Sequence, residues 1–217
     1  MIFSSLDTVM VNSERWQALC SLLGATQRVD STFSELIDHY QAANRAYHNL
    51  EHISQCLKEY DLLKAIAANA GAVEFAIWFH DAVYDTRAKD NEEKSAALAE
   101  AALHGMGISG QLPYTVGSLI RLTKHDVAPA TIDGQIIVDV DLAILGQSAE
   151  VFDRYESGIR SEYSWVSDSE FWSKRTEFLM ALLAREHIFY TEQCREKYEL
   201  TARSNLRRSI QRSAGHV

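Results

Sequence analysis

The chain has 217 residues, 47% hydrophobic and 24% charged, with a net charge of −9, the balance of a globular protein with a full core. That acidic surplus argues against nucleic acid polymers and anionic membranes as partners. Two prolines and ten glycines are too few turn residues for an all-β sandwich or barrel.

At roughly 150 residues per domain the length predicts one domain. Residues 1–7 show neither the basic nor the apolar region of a secretory signal, and no apolar stretch reaches the ~18 residues that span a bilayer. Cys20, Cys56 and Cys194 are odd in number and far apart, which predicts buried reduced thiols rather than a disulfide framework or a thiolate zinc site. Together these features predict a cytoplasmic, mostly helical protein.

Apolar residues recur at helical spacing along nearly the whole chain. Ser13 is placed to cap a first helix carrying Trp16, Leu19, Cys20, Leu22 and Leu23, with Gly24 past its end. A second helix is predicted over 32–40, and a third over 48–70 after the break at Asn44-Arg45. Residues 72–81 are apolar nearly all round, the pattern of a helix at the centre of a fold. Asp90-Asn-Glu-Glu93 opens an alanine-rich helix that stops near Gly105, with acids at the positive end of its dipole. Another covers 114–125. The run 136–145 is β-branched enough for a strand, but no second strand is available to pair with it, so it reads as a buried helix ending at Gly146. Helices over 149–163, 169–186 and 191–212 complete the chain.

Two signals fail. Gly105-Met-Gly107-Ile-Ser-Gly110 matches GxGxxG, but it follows a helix where the dinucleotide fingerprint needs a strand. The last fifteen residues hold Arg203, Arg207, Arg208 and Arg212 with no acid. That pattern suits the negative end of a helix dipole or pairing with acids elsewhere, and phosphate or partner binding is a second possibility.

The histidines carry more information. His48 and His52 are four apart, a spacing that on a helix puts both on one face. His80-Asp81 ends the most apolar segment, and Asp139 and Asp141 lie inside the apolar run 136–145. A carboxylate buried there costs several kcal/mol unless a cation compensates. Histidines and carboxylates in separate apolar helices are explained together by one divalent cation, and such ligands suit Mn, Fe, Ni, Co, Zn or Mg.

The order His…His-Asp…Asp resembles the HD-domain superfamily of metal-dependent phosphohydrolases. Arg45-Ala-Tyr-His48-Asn-Leu-Glu-His52 looks like its first motif and is also similar to the YHNxxH of cyclic-nucleotide phosphodiesterases. Phe79-His80-Asp81 matches the HD pair, and Asp139-Val-Asp141-Leu looks like the last motif, whose acidic slot Asp141 fits better than Asp139. Tyr84-Asp85, Asn91-Glu92-Glu93 and Thr123-Lys124-His125 resemble landmarks of a bacterial group of small HD phosphohydrolases.

The resemblance implies an all-α HD-domain bundle of about eight to ten helices. It would form one domain over 1–217, with the metal-binding core about 45–146 and helices 149–212 packed on it. It implies His52, His80, Asp81 and Asp141 as ligands of one divalent metal ion, with His48 as general acid near the leaving oxygen; which of His48 and His52 is the first ligand stays open. Asn91 and His125-Asp126 stand where two-metal members often carry histidines, which argues against a second ion.

Asp81 is assigned the proton of the attacking water, Lys124 and His125 the phosphate oxygens, and Arg45 a substrate contact. The implied substrate is a small phosphorylated molecule of nucleotide type, acted on by a monomer or homodimer. A di-iron oxygenase on the same fold, or a non-catalytic module with a structural metal, are the alternatives.

Overall fold

The computed structural model describes residues 11–213; residues 1–7 and His216 lie outside them. The described residues form ten α-helices and no strand: α1 Ser13–Leu22, α2 Val29–Tyr40, α3 Leu50–Leu63, α4 Ala70–Phe79, α5 Asn91–Gly105, α6 Leu112–Arg121, α7 Ile132–Leu142, α8 Ala149–Glu162, α9 Asp168–Leu183 and α10 Glu192–Ser213. Short 3-10 turns at Lys64–Ile66, Leu122–Lys124 and Ala143–Gly146 follow α3, α6 and α7. The chain is thus all-α, as the periodicity predicts, and 136–145 is helical. No described helix is long and apolar enough to cross a membrane.

The chain divides into two compact units, one up to Val140 and one from Asp141 onward. In the first, α4 is the central element. All its residues except Ala70 and Glu74 are buried, and α1, α3, α5 and α6 pack on it. Its aromatic side chains surround Trp16 of α1, with ring centroids 5.5 Å away for Phe75, 5.6 Å for Trp78 and 6.2 Å for Phe79. The indole N–H of Trp16 donates to the Val29 carbonyl at 2.8 Å, so this large apolar group leaves no unpaired donor in the core. Glu74 is answered by Arg15, whose Nε donates to it at 2.7 Å while Nη1 reaches Asp61 at 2.9 Å.

Helix ends fix where the functional side chains fall. Asn12 caps α1, accepting from the Arg15 amide at 2.8 Å, so Ser13 is the first helical residue and not the cap. Asn49 caps α3, accepting from the Glu51 amide at 2.9 Å. This corrects the expected start at residue 48: His48 precedes the cap and is not helical. The expected run to residue 70 also breaks, because Asn69 caps α4 and accepts from Ala72 N. Asp133, in the first turn of α7, accepts from the amides of Ala68 at 2.7 Å and Asn69 at 3.0 Å, tying α7 to the start of α4. Beyond α5, Gly107 and Gly110 take positive φ of 86° and 80°, a loop after a helix and not a strand-to-helix phosphate cradle.

In the second unit α9 and α10 pack together, and α8 and α10 pack on the 143–146 turn. Asn205 donates to the carbonyls of Leu145 and Gln147, both at 2.9 Å. Gly146 lies directly against the Tyr198 side chain, where a Cβ has no room. Glu199 caps the amides of Ile188 and Phe189. Arg203 links Glu199 at 2.7 Å to the carbonyls of Leu183, Arg185 and Glu186.

Replacing Trp16 with Ala is expected to lower stability by about 3–5 kcal/mol, read from urea unfolding. A pH test follows from Asp61. Partial burial raises its pKa, but the hydrogen bonds and charges of Arg15 and Lys64 outweigh burial and hold it below its ordinary value of 3.8. A depressed folded-state pKa stabilises above the unfolded value and stops doing so as pH falls through the folded one. The stability gap between wild type and Asp61→Asn should therefore be full at pH 7 and close below about pH 3.8.

Candidate metal centre

His52 stands on the first turn of α3 and is 2% exposed. His80 follows the last residue of α4, also 2% exposed. On a continuing helix, His80 and Asp81 would point about 100° apart. Because α4 ends at Phe79, both instead turn to the same place. His80 Nε2 lies 3.1 Å from His52 Nε2 and 3.2 Å from Asp81 Oδ2, and His52 Nε2 lies 3.4 Å from that same oxygen.

The protons in this triangle can be counted. His80 Nδ1 sits 2.9 Å from the Ile77 carbonyl, which only accepts, so Nδ1 carries the hydrogen and Nε2 of the neutral ring carries a lone pair. His52 Nδ1 meets the Tyr47 hydroxyl at 3.0 Å. Protons on the two Nε2 atoms answer the Asp81 carboxylate in the absence of an ion, and binding a metal releases them. A shared cation satisfies all three. Ligand bonds of about 2.0–2.2 Å place neighbouring donors roughly 3.0–3.4 Å apart, the span of the observed edges. The chemistry and spacing of the donors thus fit a divalent cation.

His52, Cys56, His80 and Asp141 each offer a ligand atom within 4.8 Å of the others, the first three buried and Asp141 partly so. This His/Cys/His/Asp group can hold a metal ion. Asp141 is carried by α7, whose first nine residues belong to the first unit. Asp139, two residues earlier, is fully buried. Cys56 is the member that sequence reasoning missed. The signal was present, since Cys56 is four residues after His52 and so shares its helix face. Its sulfur lies 3.7 Å from both ring nitrogens of His52. A point equidistant from the two nitrogens lies beside the ring and not along the Nε2 lone pair. The thiol hydrogen goes to the Val140 carbonyl at 3.6 Å.

Burial raises the Asp81 pKa, but the charges of His80 and His48 and the hydrogen bonds of His52 and His80 outweigh it and hold the carboxyl well below the usual carboxylate range. The loop before α3 brings the His48 ring to within 6.0 Å of the His52 ring, centroid to centroid. The His48 imidazole stacks on Tyr84 with centroids 4.0 Å apart at 28°, and Tyr47 meets it edge-on at 4.9 Å. Arg45 fastens the two loops. Its Nη1 donates to the carbonyls of His48 at 2.9 Å and Asp81 at 2.6 Å, and its Nη2 donates to Ala82 at 2.8 Å. The guanidinium also lies over Tyr40 and Tyr84, 5.1 and 5.7 Å from their centroids.

The donor cluster does not include Lys124 or His125, which stand on the turn after α6. Lys124 is exposed and pairs with Asp126 at 3.5 Å. His125 takes a left-handed backbone conformation, φ 61°. Asp85 and Asn91 are engaged with each other: the Asp85 amide donates to Asn91 Oδ1 and Asn91 Nδ2 donates to the Asp85 carbonyl.

Replacing Arg45 with Met is expected to leave the helices formed and weaken metal binding by about 10–100-fold, the usual effect of losing a group that orients ligands. Competition with a chromophoric chelator measures this. Cys20, Cys56 and Cys194 are buried, and burial pushes the Cys20 thiol up to about 12. A thiol reagent at pH 8 should therefore label the native protein far more slowly than the urea-unfolded chain. An all-helical frame with this cluster is compatible with an HD-type fold, while no protein-family model, curated protein or solved structure matches the chain.

Proposed function

We propose that this chain is a metal-dependent phosphohydrolase that cleaves a small phosphomonoester or phosphodiester of nucleotide type. The observation carrying this reading is the convergence of His52 Nε2, His80 Nε2 and Asp81 Oδ2 within 3.4 Å, with the His48 imidazole centred 6.0 Å from that of His52. His52, His80, Asp81 and Asp141 would hold one divalent ion, and Cys56 would remain a thiol. When bound, such an ion supplies Lewis-acid stabilisation of phosphoryl charge and lowers the pKa of a coordinated water.

The chain's own groups supply the rest. Asp81, held ionised by its imidazole neighbours, accepts the proton of the attacking water. His48 is not a ligand in this reading; its imidazole donates a proton to the leaving oxygen. Arg45 keeps the His48 loop and the Asp81 turn in register. Lys124 and His125 stay in the reading as contacts for phosphate oxygens. The net charge of −9 favours a small substrate over a nucleic acid polymer.

A second reading follows from Cys56. If its thiolate joined the histidines and carboxylates, a further protein ligand would take the position that the hydrolase reading leaves for water, and the ion would be structural. Cys56→Ser separates the two: unchanged metal content and turnover support the hydrolase, whereas loss of metal supports the structural ion.

Elemental analysis of the purified protein should find close to one divalent ion per chain, and both His80→Ala and Asp81→Ala should lose it together with activity on a panel of nucleotides and phosphoesters. His48→Gln should keep the ion and lose about 10²–10⁴-fold in turnover, the usual contribution of a general acid. The proposal fails if wild type carries no ion, or if the two ligand variants keep both ion and activity.

A further inference from the structure

The second unit contains a cleft of about 330 Å³ between α8, α9 and α10, at the small end of ligand-sized cavities. Phe152 and the half-buried Trp172 give it an aromatic wall, while Arg160 of α8 and Arg212 of α10 bring two guanidinium groups to it. Most charges around it are matched. Glu156 accepts from Arg175 Nε at 3.0 Å and from the Ser209 hydroxyl at 2.6 Å, and Arg160 Nε donates to Asp168 at 2.9 Å.

The exception is at Asp153. A single carboxylate oxygen, Oδ1, accepts from both Arg208 at 2.8 Å and Arg212 at 2.9 Å, so two positive charges share one negative charge. Arg208 Nε is buried with no hydrogen-bond partner. Desolvation raises the Asp153 pKa, but Arg212 and Arg208 outweigh it and hold the group ionised below the ordinary carboxylate range. The uncompensated charge therefore persists at neutral pH. It comes from the arginine-rich end of the chain, which the metal centre leaves unexplained.

We propose that this cleft is a separate binding site for a small aromatic anion of mononucleotide size, its ring against Trp172 and its anionic group on Arg212. Guanidinium forks suit phosphate and carboxylate geometry, and an indole face provides stacking area. The site needs no metal ion and none of the residues of the metal centre.

The test is calorimetric titration of the full chain, stripped with EDTA, with three probes: AMP, adenosine and inorganic phosphate. AMP should bind saturably, and adenosine and phosphate each at least about tenfold more weakly, because each lacks one of the two recognised parts. Arg212→Gln and Trp172→Leu should each weaken AMP binding about tenfold, the scale of one charge-assisted contact, while His80→Ala should leave it unchanged. Arg212 is 58% exposed, so its variant should fold even if Trp172→Leu does not. The proposal is overturned if millimolar AMP shows no saturable binding, if Arg212→Gln binds AMP as wild type does, or if phosphate alone binds as tightly as AMP. Loss of AMP binding in His80→Ala would move the ligand to the metal centre and also defeat it. Hydrolytic activity enters none of these readouts, so the result is independent of the proposed reaction.

Discussion

Two imidazoles and a carboxylate meet within 3.4 Å at the end of the most buried helix of the chain, and electron pairs so crowded are unfavourable unless positive charge joins them. Much of the first unit serves to hold them there. The apolar faces of α4 fix its axis against α1, α3, α5 and α6, and its termination at Phe79 releases His80 and Asp81 toward the same point. Asn49 caps α3 three residues before His52, which therefore lies on its first turn. Asp133 pins α7 to the beginning of α4. The stability of these contacts comes from ordinary burial, and part of it is spent on keeping an unfavourable polar cluster in place.

The helical architecture was readable because amphipathic and fully apolar segments repeat at 3.6 residues with few breakers. The β-branched run 136–145 needed a tertiary argument, that no partner strand existed, and it is helical. Boundaries were less readable. The break between α3 and α4 depends on Asn69 acting as a cap, which competes with a run of residues that would otherwise extend a helix. Asn49 was an equally visible capping residue, yet the attractive four-residue spacing of His48 and His52 hid it.

The residues His52, His80, Asp81 and Asp141 announce themselves as polar groups in apolar surroundings. Cys56 does not, because a buried cysteine is also an ordinary core residue. Arg45 could be marked as charged and near a motif, but its partners are backbone carbonyls at 48, 81 and 82, which have no signature in the side-chain sequence. The same holds for Arg208 and Arg212. Their clustering was evident, whereas their sharing of one oxygen of Asp153 depends on how α8 and α10 face each other.

The Arg45 guanidinium touches the loop that carries His48 and the turn that carries Asp81 through three carbonyls at once. A planar fork satisfies that geometry in a way a lysine ammonium does not. The two segments therefore cannot drift independently: a shift of one drags the plane of the guanidinium, and with it the other. A displacement of either segment breaks at least one of these three hydrogen bonds, so the loop that carries His48 and the turn that carries Asp81 are held as one unit.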